Sequence, residues 1–226
     1  MKVALIYTST TPELIDMVEK EVKKQLGESV ELISMQDPSI LAEVREAGYV
    51  TTAPAARLIG MYMKAAEQGA DAIINLCSSV GEVADCAQDV AKYIGVPIVR
   101  VDEEMCRDAV RRGIRIGVMA TLPTTLVPTV NTVTRVAREC GKKVEIVQCL
   151  VEGVFGASQE QFLEAMSKAA AGIINDVDVV VLAQGSMAYA EPKLEAQYGK
   201  PFLGSPRFGA AELRKALERK GTIQIS

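Results

Sequence analysis

Four short segments of this 226-residue chain occur twice, in the same order, and this repetition limits the fold more than any other feature. Lys-Val-Ala-Leu-Ile-Tyr-Thr from Lys2 matches Arg-Ile-Gly-Val-Met-Ala-Thr from Arg115. Val-Glu-Leu-Ile from Val30 matches Val-Glu-Ile-Val from Val144. Asp-Ala-Ile-Ile-Asn-Leu-Cys-Ser-Ser from Asp71 matches Asp-Val-Val-Val-Leu-Ala-Gln-Gly-Ser from Asp178, and Gly-Val-Pro-Ile-Val from Gly95 matches Gly-Lys-Pro-Phe-Leu from Gly199. The offset between partners drifts only from about 114 to about 104 residues, as differing loop lengths would cause. Each segment is an apolar run of strand length, and helix-period stretches separate them, which is the pattern of βα units around a parallel sheet. The fold expected is α/β, with two similar lobes built on parallel sheets, related by a pseudo-twofold axis, and a ligand cleft between them.

The strands predicted are Val3–Thr8, Val30–Met35, Ala72–Leu76, Ile98–Val101, Ile116–Ala120, Val144–Cys149, Val179–Ala183 and Phe202–Gly204. No low-complexity linker divides the chain, and the turn at Arg111-Arg112-Gly113 is the natural boundary. The first lobe is expected over residues 1–112 and the second over 113–205, with a C-terminal helix in 206–226 packing back onto the first. Helix starts carry their own signals. Thr11-Pro12 puts proline at a first helical position. Ser79-Val80-Gly81-Glu82 and Ser158-Gln159-Glu160-Gln161 both read as capping boxes. Behind the first box, Val80, Val83, Ala84, Ala87, Val90, Ala91 and Ile94 fall on one helical face.

Composition narrows the chemistry. Histidine is absent, so a Ser-His-Asp triad, a Cys-His pair and a histidine-ligated metal are all excluded. Proton transfer must use Cys, Asp, Glu, Lys, Tyr or water. The net charge of −4, the lack of a long basic stretch and the 4% aromatic content argue against nucleic acid as a partner. The N-terminal apolar run is too short for a signal-peptide core and reads as a first strand, and no run of 18 apolar residues offers a membrane span. A cytoplasmic location is expected, and with it reduced thiols for the five cysteines, Cys77, Cys86, Cys106, Cys140 and Cys149.

Ligands of open parallel sheets bind beyond the carboxyl ends of the strands. At those ends this chain places Thr8, Ser9, Thr10 and Thr11; Cys77, Ser78 and Ser79; Thr121 to Thr125; and Gln184, Gly185 and Ser186. Such hydroxyls and small residues ahead of helix starts leave backbone N–H groups to hold an anion. The repeat makes Cys77 and Gln184 equivalent, on opposite walls of the expected cleft. Cys77 precedes a helix start, whose positive end favours a thiolate. It is the candidate for chemistry, while Cys86, Cys106, Cys140 and Cys149 read as ordinary helix or strand cysteines. Arg57 reads as a surface residue and Asp85 as part of a solvated face. No P-loop and no GxGxxG follows a strand, and a cysteine-phosphatase loop would need arginine where Val83 stands.

Asn-Leu-Cys-Ser-Ser ending one strand, Val-Leu-Ala-Gln-Gly-Ser-Met-Ala ending its partner, Gly-Val-Met-Ala-Thr from Gly117 and Ser-Pro-Arg from Ser205 together resemble the aspartate/glutamate/hydantoin racemase superfamily over nearly the whole chain. That resemblance implies cofactor-independent proton transfer at a carbon beside a carboxylate, by two cysteines facing each other across the substrate. It gives Cys77 the role of the first cysteine. The second position holds Gln184, whose amide cannot act as an acid or base but can donate a hydrogen bond. Thr8, Ser9, Ser78, Ser79, Thr121, Thr124, Gly185 and Ser186 are the expected substrate-binding residues. No metal or cofactor is expected. The partner expected is a small carboxylate, and the resemblance implies a dimer or larger assembly. Three activities stay open: a racemase or isomerase using Cys77 with water or a hydroxyl on the other face, a one-sided decarboxylase of malonate-type acids, and a non-catalytic carboxylate binder.

Overall fold

In a computed structural model, which describes residues 1–154 and 157–224, the chain divides into two compact α/β units. The first comprises Met1–Val101 together with the segment from Pro206 on, and the second Asp102–Ser205. Residues 225 and 226 of the expected C-terminal helix lie outside the described residues.

The first unit runs β1 (Lys2–Tyr7), α1 (Pro12–Leu26), β2 (Glu31–Gln36), α2 (Pro38–Ala47), α3 (Thr52–Glu67), β3 (Ala72–Asn75), a 3-10 turn (Ser78–Val80), α4 (Gly81–Cys86), α5 (Gln88–Ile94) and β4 (Ile98–Arg100). The second runs α6 (Glu103–Arg112), β5 (Arg115–Ala120), α7 (Pro123–Glu139), β6 (Glu145–Leu150), α8 (Gln159–Ile173), a 3-10 turn (Ile174–Asp176), β7 (Val179–Leu182), a 3-10 turn (Gly185–Ala190), α9 (Glu191–Tyr198) and β8 (Phe202–Gly204). The last helix, α10 (Ser205–Lys220), returns to the first unit.

Both sheets are four-stranded and parallel, in the orders β2-β1-β3-β4 and β6-β5-β7-β8. The duplication extends to register. Lys2 pairs with Glu31 as Arg115 pairs with Glu145, and Val3 pairs with Ala72 as Ile116 pairs with Val179. It extends also to a polar clasp at the sheet entrance. Asp71 accepts the Lys2 N–H at 2.9 Å, and Asp178 accepts the Arg115 N–H at 2.9 Å, each aspartate returning its own N–H to that residue's carbonyl. Gly95 and Gly199 end the helices after β3 and β7 at φ 70° and 65°, a left-handed conformation that glycine adopts without penalty.

Strand alternation sorts the first core into two faces. Val3, Leu5, Tyr7 and Ile74 pack with Leu14, Val18 and Val22 of α1 and with Leu213 and Leu217 of α10. Ala4, Ile6 and Ile73 pack on the other face with Ile40, Leu58, Tyr62, Val83 and Ala84. Each of the eight expected strands is present within a residue or so of its predicted limits.

Three expectations differ from the structure. The unit boundary falls at Val101/Asp102, not after 112, because α6 packs on α7 and β7. The helix expected after Ser79 begins at Gly81 with no side-chain cap at Val80, so Ser79 is not its cap. That helix also breaks at Ala87, where the Gln88 side-chain amide donates to the Ala84 and Ile98 carbonyls at 2.8 Å each. The break shifts the helical phase, and Val90 and Ile94 are 41% and 37% exposed instead of sharing the buried face. Ser158 does form its capping box with Gln161, and Thr11 caps α1.

Candidate active site

Cys77 follows β3, in extended backbone geometry, at the entry to the Ser78–Val80 turn. The strand leads out of the core with its last residue polar. The Asn75 amide donates from Nδ2 to the Cys77 carbonyl at 2.9 Å and accepts at Oδ1 from the Tyr62 hydroxyl at 3.1 Å. Asn75 and Tyr62 are 1% and 0% exposed, and burial holds the Tyr62 phenol protonated far above its ordinary range. The turn brings the backbone N–H groups of Ser79 and Val80 to the Cys77 sulfur, with the hydroxyls of Thr8 and Ser79.

These donors favour a thiolate, but burial outweighs them and pushes the Cys77 thiol above its ordinary range. Burial of this half-buried thiol thus works against the thiolate that a helix end was expected to favour. The helix-end argument loses because α4 is only six residues long and starts four residues beyond Cys77. Thr8 and Ser78, both buried, have hydroxyls with no hydrogen-bond partner of regular geometry. Ser9, one residue on, is exposed.

Gln184 occupies the equivalent position in the second unit, after β7 and ahead of the Gly185–Ala190 turn, with similar backbone angles. Its Oε1 accepts the Thr121 N–H at 2.7 Å, and the Thr121 hydroxyl lies 3.0 Å from Oε1 and 2.9 Å from Nε2. A carbonyl oxygen is the only end of the amide that can accept an N–H, so Thr121 fixes its orientation. One Nε2–H remains to donate. Thr8 and Thr121 are themselves repeat partners, so each unit sets a threonine beside its strand-end residue. Thr124 is buried in the first turn of α7 with its hydroxyl unpartnered, and Gly185 and Ser186 lie half-buried in the turn after Gln184.

Two buried residues of the first unit were not recognised in the sequence as part of the site, Asn75 and Arg100. Arg100, 4% exposed, ends β4 opposite Asn75 and pairs with Asp85 at 2.5 Å, so Asp85 is not simply a solvated residue. Polar residues at the ends of the apolar runs Ala-Ile-Ile and Ile-Val were the available signal. Arg57 pairs with Glu43 at 2.7 Å and Asp37 at 3.4 Å. Cys106 and Cys149 are buried, and Cys86 and Cys140 exposed. Among the described residues, no cluster of three or more Cys, Asp or Glu could hold a metal ion, and no helix is long and apolar enough to cross a membrane.

The family model for Asp/Glu/hydantoin racemases matches residues 3–213. The chain belongs to that family. No curated protein matches it by sequence. Among solved structures, allantoin racemase from Klebsiella pneumoniae superposes with a TM-score of 0.71 at 14% identity, over 98% of this chain and 89% of that one. A glutamate racemase isoform from Bacillus anthracis gives 0.71 at 16% identity, over 97% and 82%. Aspartate racemase from Picrophilus torridus gives 0.65 at 14% identity, over 97% and 94%. At such identities the likeness is one of fold, so this member's chemistry rests on its own residues.

Proposed function

We propose that this family member is a cofactor-independent racemase or isomerase of a small carboxylate, with Cys77 moving the proton at the α-carbon. One observation carries the reading. A thiol is set among the N–H groups of Ser79 and Val80 and the hydroxyl of Thr8, next in sequence to the buried, unpartnered hydroxyl of Ser78. Unsatisfied buried hydroxyls cost free energy that a bound carboxylate would offset.

In the forward step, Cys77 loses its proton to water, and the thiolate then takes the α-proton. The C–H electron pair passes into the carboxylate as an enediolate, held by hydroxyls and N–H groups. The family pattern puts a second acid or base at the position that Gln184 holds here. The amide of Gln184 cannot return a proton, so a water or hydroxyl must. Its remaining Nε2–H can donate to the enediolate. The substrate-holding roles of Ser9, Ser79, Thr121, Thr124, Gly185 and Ser186 belong to the same proposal.

The S–H form that burial favours at Cys77 suits a second reading, decarboxylation of a malonate-type acid. The C–C bond to one carboxylate breaks, carbon dioxide leaves, and the electron pair forms an enediolate. The Cys77 S–H then protonates the carbon, and water restores the thiol.

Incubation of a panel of 2-amino and 2-hydroxy acids in D2O, followed by NMR, tests the first reading. Exchange at the α-carbon that disappears in Cys77→Ser is the expected result. Carbon dioxide release from malonates instead would establish the second. Binding of a carboxylate with neither reaction would overturn both and leave a binding protein.

A further inference from the structure

We propose that Asn75 and Arg100 are positioning residues that hold the turn presenting the Cys77 thiol. The inference rests on the reading of Cys77 as the reacting group.

The two units provide an internal comparison. They share strand order and register, so the same positions can be read in each. At the ends of β3 and β4 the cysteine-bearing unit sets Asn75 opposite Arg100, whereas at the ends of β7 and β8 the second unit sets Leu182 opposite Gly204. All four residues are buried. An apolar solution is therefore available to this fold at this place, and burying an amide and a guanidinium instead is costly unless both are held by partners. The unit that accepts the cost is the one that carries the thiol.

Both residues hold the same few residues of chain. Asn75 grips the Cys77 carbonyl, and Tyr62 fixes which end of the amide faces it. Arg100 lies against Gly81, where a Cβ would fall 2.6 Å from Cζ and 2.7 Å from Nε, and its Asp85 partner lies one turn further along α4. Between the two anchors lie Ser79 and Val80, whose N–H groups reach the sulfur. In the second unit the sizes are exchanged: a Cβ on Gly204 would meet the Ala188 Cβ at 2.6 Å. There the arginine space is closed by the helix-side alanine, and no thiol needs aiming.

The test uses the full chain with Cys86→Ser and Cys140→Ser, so that iodoacetamide reports Cys77 apart from the exposed thiols. The variants are Asn75→Leu, the residue found in the other unit, Tyr62→Phe and Arg100→Lys. Alkylation of Cys77 is followed against pH by peptide mass spectrometry, beside thermal melting and, on whichever acid exchanges in D2O, kcat and KM. The midpoint of the Cys77 profile should rise by about half a unit or more in Asn75→Leu as the N–H groups lose their aim. Arg100→Lys should move it the same way and Tyr62→Phe by less. The value of kcat should fall ~10- to 100-fold in Asn75→Leu with KM within about twofold, the pattern of a misaligned reacting group. An unmoved midpoint and kcat, whatever the melting temperature does, would overturn positioning while leaving the proton-transfer reading intact. A shifted midpoint in a protein that exchanges no acid would support positioning and count against the racemase.

Discussion

Replacing Gly81 by alanine separates the packing of Arg100 from ordinary helix energetics, because the two effects have opposite signs. Gly81 lies at φ −59° and ψ −32°, right-handed helical values that any residue adopts, so its glycine has no conformational purpose. On backbone grounds alone the alanine should stabilise α4 by up to about 1 kcal/mol. Against this stands a Cβ about 1 Å too close to the Arg100 guanidinium, judged against ordinary packing distances. The Arg100 side chain is 2% exposed and tied to Asp85, which leaves it little room to retreat. Overpacking of that kind costs about 1–3 kcal/mol, and about 3–5 kcal/mol if the buried charge loses its partner. The net expectation is a loss of between about 0 and 4 kcal/mol, at roughly 2–4 °C of melting temperature per kcal/mol at this chain length. Thermal and urea melts followed by circular dichroism would measure it. The decisive comparison is Gly81→Ala in an Arg100→Ala background, where the obstruction is gone and the same substitution should become neutral or stabilising. Equal destabilisation in both backgrounds, or stabilisation of the parent, would refute the assignment of Gly81 to the guanidinium.

Other outcomes follow from the same geometry. Near neutral pH, iodoacetamide should modify exposed Cys86 and Cys140 before Cys77, and a Cys77 that reacts first would show that burial does not control it. Because the thiol is raised, α-proton exchange by a Cys77 thiolate should climb with pH through the neutral range. Decarboxylation by the neutral thiol should instead be level there and fall only as the thiol ionises, so the slope of rate against pH distinguishes base from acid. Asp178 is held down to about 2 by the Arg115 N–H, the Arg115 guanidinium and the Ile114 N–H. Its depressed value means a stabilisation present above 3.8 and lost as pH falls towards 2. The urea midpoint of Asp178→Asn should therefore trail the parent at pH 6 and approach it near pH 2, and a constant gap would contradict this linkage. Gln184→Cys should speed racemisation relative to one-sided exchange, measured by chiral chromatography against NMR, and no change would tell against a two-faced site.

The elements that sequence reading recovered are those fixed by local pattern. Eight short apolar runs became eight strands, six of them buried almost throughout, and their repetition gave the equivalence of Cys77 with Gln184 that the strand register reproduces. The Ser158 box was visible because both its partners sit within one turn. What sequence reading missed depends on contacts across the fold. The break at Ala87 arises from Gln88 reaching the Ile98 carbonyl, ten residues on, and the state of the Cys77 thiol from how much chain covers it. The Asn75–Arg100 pairing needed the β3–β4 register, although the Asn75/Leu182 mismatch stood in the aligned repeats. The placement of α6 was missed for a similar reason: its apolar face, through Met105, Cys106, Ala109 and Val110, gives no hint of which neighbouring sheet it covers.

The chain's route between its units bears on the order in which they can be completed. The second unit is one unbroken stretch, but the first closes only when α10 supplies Ala210, Leu213 and Leu217 to the face already lined by α1. At about 5–20 residues per second, synthesis runs on for several seconds between the end of β4 and the appearance of that helix. During that interval the cysteine-bearing sheet has all four strands but lacks the α10 cover over Val3, Leu5 and Ile74, while its later-made counterpart is complete as soon as β8 is made. The half that carries Cys77 is thus the first to be translated and the last to be sealed. Loss of the α10 segment should strike it before it strikes the other half.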